Sequence, residues 1–76
     1  MKNDAAVPKQ IKKVEVMPRG IVASMDDGTK RTYAYGLVEP SDIDSVYVAE
    51  DRLSVVIRLR SGDTLNPRAD QLTEEV

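Results

Sequence analysis

The residues of this chain that could take part in chemistry are carboxylates, hydroxyls, tyrosines and basic side chains, because its 76 residues include no histidine and no cysteine. Within one chain this excludes the commonest general base, the Ser-His and Cys-His nucleophile pairs, and thiolate or imidazole metal ligands. Carboxylates at turns, such as Glu50, Asp51 and Asp63, could serve as an acid and a base in glycoside hydrolysis, but that reaction needs a deep sugar cleft. With three tyrosines and no tryptophan to line such a cleft, the sequence predicts a protein that is not an enzyme.

An acidic run and the spacing of the glycines are the two sequence features that could indicate a metal or cofactor site. The run Asp26-Asp27-Gly28-Thr29 superficially resembles a calcium loop, but it lacks ligands spread over twelve positions and a closing glutamate. A hairpin turn is the better interpretation. The four glycines form neither a dinucleotide-binding nor a phosphate-loop pattern. We therefore expect no metal and no cofactor.

An acid-rich segment is the first candidate for a binding surface. Residues 39–51 carry five acids in thirteen positions. They could present negative charge to a protein partner, for instance where an inhibitor occupies a nucleic-acid-binding groove. The plainer interpretation is that loop acids simply stay hydrated. The five residues are Glu39, Asp42, Asp44, Glu50 and Asp51.

A basic surface with aromatic side chains is the second candidate. Tyr33 and Tyr35 would share one strand face beside Arg31, and Arg58 and Arg60 would share the outer face of a later strand. Single-stranded nucleic acid is held by such a combination, with bases stacked on rings and phosphates on cations. The plainer interpretation, which we favour, is that the arginines are solvated or paired while the tyrosines cap the core. The net charge of −2 also lacks the positive excess usual in nucleic-acid-binding proteins.

Alternating apolar and polar residues predict the strands that would position these side chains. Residues 13–16 alternate in this way, and an Asp-Gly turn joins two strand-like runs into a hairpin over residues 21–35. A second hairpin is predicted over residues 46–60. Its later strand has the most regular period of two in the chain, so we expect it to be the central core strand. That period consists of Leu53, Val55, Ile57 and Leu59.

The C-terminal residues predict a short helix. Asn66 is a preferred N-cap, Pro67 suits the first helical position, and Ala69, Leu72 and Val76 follow at spacings of three and four. The predicted fold is therefore α+β, a small antiparallel β-meander of four to six strands with one C-terminal helix. A small, partly open β-barrel is the alternative.

The ends and the charge distribution complete the expected organisation. Residues 1–10 are polar and aperiodic, which predicts a flexible tail before a single β-rich domain over residues 11–76. No apolar run is long enough to cross a bilayer and no secretion signal is apparent, so a cytoplasmic protein without membrane contact is expected.

The two halves of the chain carry opposite net charges: residues 1–38 carry +3 and residues 39–76 carry −5. We expect the two halves to attract each other, with a dipolar surface for steering a partner as the alternative.

The residues 25–28, Met-Asp-Asp-Gly, together with the closing run Arg-Ser-Gly-Asp-Thr-Leu-Asn-Pro of residues 60–67, resemble a family of small uncharacterised bacterial domains. The resemblance spans roughly residues 11–73 and implies an α+β fold with no established activity. In size and lack of motifs, the chain is similar in type to small phage-encoded inhibitors.

These observations predict a small non-enzymatic interaction module, such as an inhibitor or adaptor. It would bind a protein through a sheet face, a sheet edge or the acidic loops, and the same edge could instead form a homodimer. A small barrel that binds single-stranded nucleic acid is the alternative.

Overall fold

The computed structural model describes residues 9–36 and 38–74 of the chain, so most of the predicted tail lies outside the described residues. The described residues form seven strands in two antiparallel sheets. Sheet A contains, in spatial order, β1 (Ile11–Met17), β2 (Gly20–Met25), β3 (Lys30–Ala34) and β7 (Thr73–Glu74). Sheet B contains β4 (Ile43–Val48), β5 (Val55–Leu59) and β6 (Thr64–Leu65).

Two of the hairpins close with the same turn. In the β2–β3 turn, the Met25 amide donates to the Thr29 carbonyl at 2.8 Å and Gly28 has a φ of 92°. In the β5–β6 turn, the Leu59 amide donates to the Asp63 carbonyl at 2.9 Å and Gly62 has a φ of 102°. A three-residue loop that ends in a left-handed residue suits glycine, which has no Cβ to clash. The predicted hairpin turn at residues 26–29 is confirmed.

The core lies between the inner faces of the two sheets. Strand β5 is the middle strand of sheet B, and Val55 and Ile57 are fully buried, as the period-two pattern predicted. Strand β1 lies against β4, and the Ile11 amide donates to the Arg52 carbonyl at 2.8 Å. The buried apolar residues come from both sheets and from the C-terminal segment; they are Ile11, Ile21, Ala23, Met25, Ile43, Val55, Ile57, Ala69 and Leu72.

The α+β prediction is wrong, because the described residues contain no α-helix. Only two short 3-10 turns are present, Pro40–Asp42 and Ala69–Gln71, and the C-terminal segment ends as strand β7 beside β3. The prediction of one meander of four to six strands is also wrong, since seven strands divide between two sheets. No helix in the described part of the chain is long and apolar enough to cross a membrane.

The helix fails to form because the sheet takes the backbone groups that a helix would use. The Pro67 carbonyl accepts from the Val55 amide at 2.9 Å, and the Ala69 amide donates to the Leu53 carbonyl at 2.8 Å. The Asn66 side chain, predicted as an N-cap, instead donates to the Val55 carbonyl at 2.8 Å. Ala69 is buried, but it begins a 3-10 turn, and the preceding Arg68 forms a β-bridge with Ser54 just before β5. Tertiary hydrogen bonds thus override a weak local preference.

Candidate functional site

One concavity of the described surface is a groove on the outer face of sheet A, the face turned away from the core. Its volume is about 680 Å³, and we call it the outer groove. Val22 lies at the middle of its floor, directly opposite Thr32 in the neighbouring strand. The β1–β2 turn, the outer residues of β3 and strand β7 form its walls. The lining residues are Met17, Pro18, Arg19, Val22, Thr32, Ala34, Thr73 and Glu74.

Ala34, which lines the groove, pairs with Gly20 across β2 and β3, so this row of sheet A carries little side-chain volume. At the rim the chain is apolar: Met17 is 43% exposed, among the highest values for large apolar residues in the described chain. The Tyr35 hydroxyl donates to the Met17 carbonyl at 2.7 Å and holds this rim against the sheet.

Strand β3 has a partly open edge beside the outer groove. Strand β7 pairs with β3 only at Arg31 and Thr32. Within the described chain, Tyr33 and Ala34 therefore have no partner strand on that side. Backbone groups alternate in direction along an antiparallel strand, so part of this half of β3 points its donors and acceptors away from β2.

The structure does not bring the predicted acidic residues into one patch. Glu39, Asp42 and Asp44 lie at the start of β4, while Glu50 and Asp51 lie in the loop beyond its end. At about 3.3 Å per residue, the six residues of β4 separate the two groups by about 17 Å. Two of these carboxylates also serve local structure, since Asp42 accepts from the Glu39 amide and Asp51 from the Leu53 amide, each at 3.0 Å.

The predicted basic and aromatic residues are also divided. Tyr33 and Tyr35 belong to sheet A and its end, and both pack against the core. Arg58 is exposed on the outer face of sheet B, where it pairs with Ser45 and Thr64. Arg60 donates from Nε to the Ser41 carbonyl at 2.9 Å. Of the three predicted arginines, only Arg31 lies in β3 with Tyr33, as expected.

The residues that line the outer groove were missed by the sequence analysis. The pattern carried one usable signal, because Val16 and Met17 are consecutive apolar residues that a two-faced strand cannot bury together. The groove itself depends on which residues of β2, β3 and β7 lie opposite each other. That register follows from long-range pairing and is invisible in local patterns.

A second concavity, of about 250 Å³, lies where β3 meets the C-terminal segment, and we call it the basic pocket. Lys9, Arg31 and Arg68 contribute three cations to its lining, together with Leu53, Ala69 and Asp70. In the described part of the chain, no group of three or more acidic residues is arranged to hold a metal ion.

Asp27 in the β2–β3 turn has a strongly perturbed pKa. Its carboxylate accepts hydrogen bonds from the side chain of Thr29, from Lys9 and from the Thr29 amide, and these hold its pKa well below the usual range. The Lys9 ammonium lies 2.9 Å from the Asp27 carboxylate, and the same pair raises the pKa of Lys9. The contact with Asp27 thus holds the Lys9 side chain beside the basic pocket.

We expect acid to destabilise the wild-type protein more than the Asp27→Asn variant. A depressed pKa contributes stability above the pKa of an unfolded aspartate, about 3.9, and this contribution is lost as the pH falls toward the lowered value of the folded state. Urea unfolding at neutral pH and at about pH 3 measures the difference. Asp26→Asn, which removes an adjacent exposed carboxylate, is the matched control and should keep the wild-type pH dependence. Equal acid sensitivity of wild type and Asp27→Asn would contradict the lowered pKa of Asp27.

No protein-family model, curated protein or solved structure matches this chain.

Proposed function

We propose that this protein is a non-enzymatic module that binds an extended segment of a partner protein at the outer groove of sheet A. The observation that carries the proposal is the combination of an apolar groove of about 680 Å³ with an open strand edge directly beside it. A segment that adds to β3 would gain main-chain hydrogen bonds, and its alternate side chains would face the groove.

The groove suits a large apolar side chain of such a segment. Its volume falls within the range of about 300–1,000 Å³ that is usual for binding pockets. Val22, Ala34 and Met17 supply apolar contact. Exposed apolar surface on a small domain frequently marks an interaction site.

One end of the groove carries a positive charge, which favours one orientation of the segment. Arg19 lies in the β1–β2 turn at that wall. A partner segment with an acidic residue near Arg19 would complement it. Such complementarity mainly gives specificity and faster association.

Selection of short random peptides displayed on a surface, followed by affinity measurement, tests this function. We expect enriched peptides to share a large apolar residue. Val22→Glu should weaken their binding by at least about tenfold, because it places a charge at the middle of the groove floor. Val56→Glu is the matched control: Val56 is also a half-buried valine of a middle strand, but it lies on the outer face of sheet B opposite Tyr47.

Three results would contradict the proposal. The first is a selection without enrichment, and the second is an equal loss of binding in Val56→Glu. The third is a wild-type protein that is dimeric by light scattering and becomes monomeric in Val22→Glu. In that case a second copy of the chain, and not a partner protein, would occupy the groove.

A further inference from the structure

Arg31 is the central side chain of the basic pocket. From β3 it projects toward the C-terminal segment, where Nη1 donates to the Ala69 carbonyl at 2.7 Å. Its Nε is buried and has no hydrogen-bond partner in the described chain. A buried donor without a partner is costly, so native proteins rarely leave one without a structural or functional reason.

Among the residues that the structure describes, no carboxylate forms an ion pair with Arg31. Glu74 lies opposite Arg31 across β3 and β7, but the two side chains form no ion pair. Asp70, the carboxylate that lines the pocket, reaches the Arg68 Nε only at 4.0 Å, and both side chains are mainly exposed. Arg68 is therefore able to turn toward a ligand without breaking a strong contact.

Lys9 adds a third cation to the lining of the pocket. Its ammonium is held by Asp27 at 2.9 Å, which positions it beside the pocket. An ammonium has three donors, so this contact with Asp27 leaves others for a second acceptor. Leu53 and Ala69 add apolar surface to the lining.

We propose that the basic pocket binds a phosphoryl group. Three cations converge on a space of about 250 Å³, and arginine guanidinium groups match the oxygens of phosphate in pairs. Arg31 is oriented in advance by Ala69, so binding loses little side-chain freedom there. A phosphoryl group carries more charge than a carboxylate and can engage all three cations. This site is separate from the outer groove and does not depend on its function.

Titration of the wild-type protein with inorganic phosphate, followed by amide chemical shifts at constant ionic strength, tests the site. We expect saturable shifts at residues 9, 31, 53 and 68–70, and none with chloride. Arg68→Ala should weaken binding by at least about tenfold. Its fold should survive, because the side chain is exposed and only main-chain groups of Arg68 contribute to the turn. Arg58→Ala, which removes an exposed arginine from sheet B, should leave phosphate binding unchanged.

Two further measurements sharpen the assignment. Glu74→Gln should strengthen phosphate binding, because it removes a carboxylate that faces Arg31 across the strands. O-phosphoserine compared with inorganic phosphate distinguishes the source: tighter binding of O-phosphoserine identifies a phosphorylated side chain, and equal binding identifies free phosphate. Shifts that never saturate, equal shifts with chloride, or unchanged binding in Arg68→Ala would overturn the proposal.

Discussion

Replacing Gly20 with alanine is expected to destabilise the protein by about 3 kcal/mol, a large part of the roughly 4–11 kcal/mol typical of a domain of this length. A Cβ at this position would lie 2.5 Å from the Tyr33 carbonyl oxygen and 2.9 Å from Cγ2 of Thr32. Both distances are far below van der Waals contact. The obstructing carbonyl belongs to β3, so relief requires a shift of the main chain in the middle of sheet A.

The matched control for this prediction is Gly36→Ala. A Cβ at Gly36 would meet nothing within 4 Å, and Gly36 does not have a left-handed φ. Urea unfolding of the two variants should show a large loss of stability for Gly20→Ala and almost none for Gly36→Ala. Similar stabilities of the two variants would contradict the close approach of β2 and β3.

Local patterns predicted those features of the fold that are decided by neighbours in sequence. The turn at residues 26–29 follows from the conformational freedom of Gly28, which no neighbouring strand changes. The burial of Val55 and Ile57 follows from strict alternation along one strand. In both cases the physical cause acts within a few residues.

The C-terminal segment shows where this reasoning stops. The spacing of Ala69 and Leu72 marked two apolar residues that share one face, and both side chains are buried. The same spacing is also satisfied by one 3-10 turn between two extended stretches, provided that distant strands supply the hydrogen bonds. Leu53 and Val55 supply them here, and no local pattern could identify these partners.

The candidate site was harder to predict than the fold. The selected acids and arginines are charged residues at turns and on an outer strand face, and the structure distributes them over both sheets. The outer groove instead lies where Val22 and Thr32, which pair across β2 and β3, meet the β1–β2 turn and β7. That meeting depends on the register of distant strands, so residue types alone could not reveal it.

Ile57→Ala is expected to destabilise the protein by about 3–4 kcal/mol, because it removes a fully buried side chain and leaves a cavity. Ile57 pairs with Val46 on one side and Leu65 on the other, so it contacts every strand of sheet B. Thermal unfolding followed by circular dichroism measures the loss. Val16→Ala is the control, since Val16 is 46% exposed and its truncation should cost little. Equal effects of Ile57→Ala and Val16→Ala would contradict the assigned core.

The same measurement tests whether residues 11–76 form a single domain. The buried cluster draws Ile21 and Met25 from sheet A, and Val55 and Ile57 from sheet B, so neither sheet has a core of its own. Truncation of Ile21 in sheet A should therefore lower the same unfolding transition as truncation of Ile57 in sheet B. Two separate transitions, each sensitive to one of the variants, would show that the sheets unfold independently. A single unfolding transition is expected because the two sheets share one small core, so unfolding of either sheet exposes the core residues of both.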